Sequence, residues 1–407
     1  MATVRSDLVA HIDLDALRHN YRALRQSLGP KVRLCAALKA DAYGHGIQLV
    51  APVLEAEGCD YAAVATVPEA VELRQIGWKP PILLLGNVLA IADAEERQNR
   101  LDEIVRHGLA VTVAEATSID HLCRMGAVFR PIDIHLKIDS GMGRMGILPA
   151  EAEKLVRRIL ATPEVRLAGI YSHFASADLG RPDLASHQLS VYSETLDQLA
   201  GLLPPGVVRH LANSAATICL PDTHFDMVRP GLALYGYHPA PQVFPFDLQP
   251  ALRLVSHITL IKDLPLGHCV GYGQTFTTTR QTKLGIVPVG YFDGFLRGHS
   301  NQGFVGVAGD FAPIIGRVSM DQLAIDLTEL PPVSLGAEVV LISDQPDTPN
   351  SVAAIADRLG TIPYEVTCLL GRRIDRIASK ADFRSYQPTT AKISARRNCP
   401  APVPIHN

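Results

Sequence analysis

Several features are missing or scarce in this chain, and each absence removes a class of protein. There is no basic excess: 38 Lys and Arg stand against 41 Asp and Glu, a formal net charge of −3, so no nucleic-acid surface is expected. No apolar run reaches the ~18 residues that a bilayer-spanning helix needs, so no membrane partner is expected either. The opening stretch MATVRSDLVAHIDLDAL alternates polar and apolar and carries no secretory h-region. Export by that route is therefore not expected, and a cytoplasmic location is. Cysteine occurs at 35, 59, 123, 219, 269, 368 and 399, an odd and scattered set without a C-x-x-C or a companion His cluster. Such spacing fits reduced thiols and predicts neither a disulfide frame nor a metal site. Nucleophile elbow, HExxH and Walker loop are absent, which leaves no motif for hydrolase, zinc-protease or NTPase chemistry. No internal repeat or low-complexity segment stands out.

What is present divides into two halves. With 407 residues, 47% of them hydrophobic and 19% charged, the chain can bury a large core, and its length suggests roughly two or three domains. Strand-like apolar runs fall at 34–38, 61–65, 82–85, 110–113, 132–138, 167–171 and 208–212, with a weaker one ending at Val228. Amphipathic stretches such as 47–57, 69–76, 150–160 and 186–203 lie between them. Thr66 and Glu69 have capping-box spacing, with Pro68 in the first turn. Strands covered on both faces by helices read as continuous apolar runs, as these do. About eight βα units in ~235 residues match a (β/α)8 barrel of the TIM type, with a doubly wound sheet as the alternative. Pro239, Pro241, Pro245 and Pro250 mark 237–250 as a linker. Beyond it the sequence turns β-rich, at 252–264, 283–289, 304–307, 314–327 and 338–342, with a hairpin turn expected at Gly309-Asp310 and one helix at 351–359. The expected organisation is a barrel over 1–240, a mostly-β domain over 241–384 and a loose tail over 385–407.

Several motifs carry chemistry, each beside a plainer reading. Gly141, Gly143 and Gly146 spell G-x-G-x-x-G in GMGRMG. Pro149 places the next helix after these glycines, so a glycine-rich loop at a barrel mouth explains them as well as a dinucleotide fingerprint does. Lys39 ends an apolar strand in LCAALKADAYGHG; it is either a strand-end lysine snorkelling to water or a Schiff-base lysine. His173 in LAGIYSHF, Asn213 and Ser214 in HLANSAA and Arg229 in DMVRPGLALYG are each explicable singly as structural residues. Their common position, each just past a predicted strand, puts several polar groups on one rim. Ser214, at a helix start with glycines nearby, is a fair phosphate site. Tyr272 in VGYGQTF, Tyr291 in PVGYFDG and Tyr364 in TIPYEVTC read by default as core or interface residues of the β half.

Taken in order, ALKADAYGHG, KIDSGMGRMG, YSHFASAD, LANSAA, VRPGLALYG, VGYGQTF, PVGYFDG, GRVSMDQ and TIPYEVTC make the chain, over 8–377, similar to the alanine racemase family of fold type III pyridoxal 5′-phosphate (PLP) enzymes. The resemblance implies a barrel joined to a β-domain, PLP as cofactor, alanine as substrate, and a homodimer with active sites shared between subunits. It implies Lys39 as the cofactor lysine and Tyr272, supplied by the partner, as the second catalytic acid/base. Phosphate contacts would come from Tyr43, Ser214, Tyr364 and the backbone of Gly231 and Leu232, with Asn213 beside them. Arg229 would face the pyridine nitrogen, supported by His173. Arg144 would meet the cofactor's phenolic oxygen and, with the Met320 backbone, the substrate carboxylate. Lys137 matches a lysine often carbamylated in this family, and Tyr291 and Tyr364 would line the access channel. Ser319, Phe292 and Pro363 depart from residues common in relatives and bear on channel shape and substrate range. The implied reaction serves D-alanine supply for peptidoglycan or alanine catabolism. The alternatives are a broader-specificity racemase acting on Ser or Lys, an amino-acid decarboxylase of the same architecture, and a PLP-homeostasis protein without turnover.

Overall fold

The computed structural model describes residues 6–123, 130–178, 182–239 and 247–379. Strand β1 (Val9–Asp13) leads into a helix, Leu14–Ser27, capped by the Asp13 carboxylate accepting from the backbone of Asp15 and Ala16. Next come β2 (Arg33–Ala37), β3 (Tyr61–Val64), β4 (Ile82–Leu84), β5 (Ala110–Val113), β6 (Ile132–Lys137), β7 (Val165–Tyr171), β8 (Val208–His210) and β9 (Met227–Val228). Each pairs in parallel with the next, and β9 returns to β2, closing an eight-stranded barrel. Closure removes the doubly wound alternative. β3, β4 and β5 are buried at every residue, which is why they read as unbroken apolar runs. The helix Val67–Ile76 starts with the expected capping box, Thr66 and Glu69 bonding to each other's backbone amides.

The remaining strands are β10 (Leu252–His257), β11 (Leu260–Leu264), β12 (Cys269–Val270), β13 (Phe276–Thr277), β14 (Thr282–Val287), β15 (Phe304–Val307), β16 (Asp310–Pro313), β17 (Leu323–Asp326), β18 (Glu338–Ile342) and β19 (Asp375–Ser379). They form a six-stranded sheet in the order β16-β15-β18-β10-β1-β19, a three-stranded sheet β11-β14-β17 and the hairpin β12-β13. β1 therefore builds the β-rich sheet rather than the barrel, paired antiparallel to β10 and parallel to β19. Its alternating burial fits a strand with one face on the core.

Three local readings change. The expected strand 252–264 is two strands in different sheets. The chain turns the corner where the Ile258 amide bonds to Ala337 in one sheet and the Thr259 amide to Ile286 in the other. The run 314–327 contributes only a bridge at Ile314 and then β17, because Gly316 takes a left-handed turn at φ 73°. The hairpin turn sits one residue earlier than expected, at Ala308 and Gly309 with φ of 51° and 83°, and Asp310 already pairs with Val307. Two left-handed residues in succession are what a two-residue hairpin with right-handed strand twist needs. A short helix, Pro363–Cys368, adds to the expected Val352–Leu359, with Pro363 in its first turn. Residues 240–246 of the expected linker and the expected tail, 385–407, lie outside the described residues.

One apolar core runs through both halves, taking in Leu17, Leu34 and Leu54 around the barrel and Val305, Val339 and Leu341 in the β sheet. The barrel mouth is thus fixed relative to the β sheet of the same chain.

Candidate active site

Lys39 stands one residue beyond Leu38, whose amide still bonds to Ala63 of the barrel. The next four residues, Ala40, Asp41, Ala42 and Tyr43, have φ between 52° and 55°, a full turn of left-handed helix. Each such non-glycine residue costs roughly 1–2 kcal/mol, so neighbours must impose the turn. Glu69 does so from the barrel: one carboxylate oxygen closes the capping box on Ala65 and Thr66, and the other accepts from the Ala40 amide at 2.8 Å. The Asp41 carboxylate accepts from the Ile47 amide at 2.7 Å. His45 lies buried under the turn, stacked 4.5 Å from Tyr235, its Nδ1–H donating to the Tyr43 and Ala42 carbonyls. Gly44 follows at φ 81°, where any Cβ would meet the Thr367 carbonyl at 2.0 Å. Burial, and then the Arg144 guanidinium, hold the Lys39 amine below the usual lysine range, against smaller opposing effects of Cys368 and Glu69.

Arg229 lies deep at the centre of the mouth. Its guanidinium donates to His210 Nδ1 at 2.7 Å, to His173 Nδ1 at 3.2 Å and to the carbonyls of Ser172 and Leu211 at 2.7 and 3.2 Å. A guanidinium cannot accept, so both histidines must, and each carries its own proton on Nε2. His210 Nε2–H then donates to His135 Nδ1 at 2.8 Å, which fixes the next tautomer in turn. Burial and then the Arg229 charge keep His173 and His210 well below the usual histidine range; burial likewise brings His135 down to about 4. A Cβ on Gly169 would come within 2.3 Å of His135 Nδ1, so glycine makes the room for this ring inside the barrel. Tyr171 packs beneath, its ring 5.0 Å from the Arg229 guanidinium and 4.7 Å from the stacked His210 ring.

Around the rim, Ser214 opens the helix Ser214–Cys219, and its Oγ accepts from the amides of Gly231 and Ala233 at 2.8 and 3.3 Å. Its own hydroxyl proton is left to donate elsewhere. Asn213 caps that helix through Oδ1 to the Ala216 amide, a supporting place behind Ser214. A Cβ on Gly231 would come within 2.5 Å of the Tyr43 hydroxyl, and Leu232 follows in the turn Leu232–Tyr235. The Tyr43 ring lies 5.9 Å from that of Tyr364, which comes from the β-rich part of the chain. Burial raises both phenols, Tyr364 to about 12.

The glycine-rich loop after β6 folds around its own acid. The Asp139 carboxylate accepts from the amides of Gly141, Met142 and Gly143 at 2.8–3.1 Å. Burial works against its charge, yet these amides and that of Arg144 prevail and hold it below the carboxylate range. Anion-binding amides that already serve Asp139 are not a pyrophosphate cradle, so the dinucleotide reading of GMGRMG falls. The loop instead carries Arg144 back toward Lys137. Burial, then Arg144 and Arg229, lower the Lys137 amine to about 8.

Three of the expected residues lie elsewhere. Tyr272 opens the short turn Tyr272–Gln274 between β12 and β13 and is 72% exposed. Met320 is 50% exposed, and Tyr291 is exposed on the turn Tyr291–Asp293, which is tied to it through amides bonding to Ser319 and Met320 carbonyls. Phe292, one of the departures, is also exposed and lies under the Arg373 guanidinium at 4.3 Å. Within one chain, then, Lys39, Tyr43, Lys137, Arg144, His173, Asn213, Ser214, Arg229, Gly231, Leu232 and Tyr364 share the mouth, while Tyr272, Tyr291 and Met320 stand on the β-rich part.

His135, Tyr171 and His210 escape sequence reasoning, and Glu69 is legible there as a helix cap without its bond to the Lys39 turn. A histidine inside an apolar run, as in DIHLKI and VVRHLA, is the signal that could have found two of them, since such a ring must be buried and partnered. Among the described residues no group of His, Cys, Asp and Glu could hold a metal, and no helix is long and apolar enough to cross a membrane.

The comparisons with known proteins agree with this arrangement. The family profile described as alanine racemase, N-terminal domain, matches residues 12–239, and that described as alanine racemase, C-terminal domain, matches 251–378. The alanine racemase of Halothermothrix orenii is 38% identical over 369 residues, 90% of this chain and 95% of the relative. That of Syntrophobacter fumaroxidans is 39% identical over 368 residues, 89% and 94%. Among solved structures, the Clostridium difficile alanine racemase superposes with a TM-score of 0.85 at 33% identity, covering 94% of this chain and 97% of that one. The Bacillus anthracis alanine racemase with bound L-Ala-P gives 0.85 at 32% identity, covering 93% and 97%. With both profiles matched in order across a closed barrel and its β-rich partner, the chain belongs to the alanine racemase family.

Proposed function

We propose that this chain interconverts L-alanine and D-alanine, using PLP held at the barrel mouth and two bases on opposite faces of the substrate. The observation that carries the reading is Lys39: a lysine at a strand end, held by an imposed left-handed turn, with its amine shifted toward the neutral, nucleophilic form. The surrounding residues fit a phosphorylated aromatic aldehyde. The Ser214 hydroxyl proton is free to donate, Tyr43 and Tyr364 set two phenols side by side, and Gly231 keeps its backbone close to the Tyr43 hydroxyl where a side chain would intrude. When bound, PLP supplies the electron sink that makes the substrate's α-proton removable.

The chain's own groups do the rest. Lys39 Nζ would hold the cofactor and, once the substrate amine takes its place, would move the α-proton on one face. Tyr272 OH, supplied by a second copy, moves it on the other. Arg229 offers the ring nitrogen a donor that keeps its proton, because every partner it has is an acceptor. Arg229 would thereby leave the ring nitrogen unprotonated and moderate the electron sink that PLP would supply. Arg144 orients the substrate carboxylate, with the Met320 backbone of the second copy. The neutral Lys137 amine can attack carbon dioxide, forming an N–C bond and releasing one proton; the resulting carbamate would pair with Arg144. Exposure of Tyr272, Met320 and Phe292 on one domain supports a head-to-tail homodimer. Free cysteines at each described position support a reducing, cytoplasmic setting.

The test is covalent trapping. Protein loaded with PLP and reduced with borohydride is expected to carry the adduct on Lys39 by peptide mass spectrometry. It is also expected to racemise alanine ahead of serine and lysine in a chiral assay. No adduct at Lys39, or carbon dioxide released from a basic amino acid in place of racemisation, refutes the proposal. Native spectra with labelled bicarbonate test the carbamate: no mass gain at Lys137 removes it.

A further inference from the structure

The left-handed turn after Lys39 is gripped at its start by Glu69, from the barrel. Its exit is gripped by a residue from β19, the last strand of the β-rich sheet. Arg376 reaches across with its guanidinium largely buried, at 14% side-chain exposure. Nε donates to the Gly44 carbonyl at 2.8 Å and lies 3.5 Å from the Asp41 carboxylate. Nη1 donates to the carbonyls of Ile374 and Gly371 at 3.2 and 3.4 Å, and Nη2 to that of Leu370 at 3.0 Å. Gly46, at φ 86°, clears the path, since a Cβ there would stand 3.0 Å from the Arg376 Cδ.

These acceptors belong to two segments. Asp41 and Gly44 belong to the turn that aims Lys39 and Tyr43. Leu370, Gly371 and Ile374 follow directly on the helix Pro363–Cys368, which carries Tyr364. The Thr367 carbonyl of that helix rests where a side chain on Gly44 would be. Four carbonyls spread over two segments suit a planar fork of five donors and cannot be met together by the point charge of a lysine.

We propose that Arg376 is a positioning residue that staples the Lys39 turn to the Tyr364 segment, holding the amine end and the phosphate end of the cofactor site at a fixed separation. The staple rests on the reading of Lys39 and Tyr364 as PLP-binding residues. Without it the turn loses its exit contact and is free to relax toward right-handed geometry.

The experiment uses the full chain carrying Arg376→Ala, with Arg376→Lys and Arg376→Gln alongside. In protein freed of PLP, amide hydrogen exchange over 40–46 is expected to rise about tenfold or more while exchange in β2 and β6 stays as in the parent. PLP retention is expected to weaken about ten- to a hundredfold, the loss of a charge-assisted contact. kcat should fall with KM for alanine nearly constant, and millimolar guanidinium should restore part of the PLP retention of Arg376→Ala. Unchanged exchange over 40–46, a uniform rise across the barrel, or parental PLP retention overturns the staple. If Arg376→Ala does not fold, Arg376→Lys and Arg376→Gln decide by the same exchange reading. If the parent protein traps no PLP on Lys39, the proposed function fails, and exchange in the PLP-free chain still decides the staple.

Discussion

Inside the barrel Arg229 and the histidines beside it are held in a hydrogen-bonded network of one chain, whereas on the β-rich domain Tyr272, Tyr291 and Met320 are exposed. Arg229 makes four contacts at 2.7–3.2 Å, and Tyr272 is 72% exposed. The difference teaches where the two kinds of precision come from. Groups that tune a bound cofactor are preorganised by the fold of one chain. Groups that meet the substrate from outside are left unfinished, and on the proposed reading a second copy completes them.

The largest expected effects would break this comparison outright. Lys39→Ala should lower racemisation by ~10⁴ or more, and Tyr272→Phe by ~10²–10⁴. Tyr272→Phe should leave trapping of PLP on Lys39 intact, because on the proposed reading the groups that hold it all come from the chain that carries Lys39. The Tyr272→Phe loss in kcat/KM must be equal in both directions, since the enantiomers have an equilibrium constant of one. Mixing and re-associating the two inactive variants should restore about a quarter of parental activity, because half the dimers then contain one complete site. No recovery in the mixture refutes the shared site.

Arg229→Glu sharpens the barrel side. A carboxylate there would hold a proton on the ring nitrogen, so racemisation should fall ~10²-fold or more and pyruvate should accumulate. Parental rates of both would show that the guanidinium has no part in fidelity.

His135→Leu probes the same network one step deeper. It leaves His210 Nε2–H without its acceptor, and racemisation should fall about tenfold with KM little changed. Its pH signature has a definite sign. His135 is held down to about 4 by burial, so between pH 6.5 and 4 the unfolded chain binds a proton that the folded one refuses, and acid lowers stability across that window. His135→Leu should make that fall shallower by one titrating group, measured by denaturant unfolding at stepped pH. An unchanged slope refutes the assignment.

The smallest effect lies in the β-rich domain. Ala308 holds φ 51° in the hairpin between β15 and β16, so Ala308→Asn should stabilise the protein by about 0.5–1 kcal/mol without touching racemisation. A lower unfolding midpoint would contradict the turn assignment.

Legibility in the sequence also differs between the two regions. Barrel strands are apolar on both faces, and this one-dimensional signal located all eight to within a few residues. Rim residues were legible for the same reason: Lys39, His173, Ser214 and Arg229 each follow a strand that could be found. In the β-rich half, 252–264 looks continuous because apolar residues run on through Ile258, Leu260 and Ile261, and nothing local says that the chain changes sheets at Ile258. β1 was hidden because its partners are 240 or more positions away, as with Ile12 and Leu252 in the antiparallel pair. The left-handed turn was equally hidden: Ala40, Ala42 and Tyr43 do not favour positive φ, and contacts from Glu69, Asp41, His45 and Arg376 impose it.

The central place of β1 has a consequence for biosynthesis. Val9 pairs with Asp375, so at ~5–20 residues per second this strand waits about 20–70 s on the ribosome for its last neighbour. Throughout that interval the edge that takes β19 is open, and until β10 emerges the other edge is open too, while the barrel behind it can already close. The nascent protein therefore carries a closed barrel tethered to a ribbon with an unmatched edge, and chaperones that shield exposed strand edges should raise the yield of native enzyme more than any aid to the barrel itself.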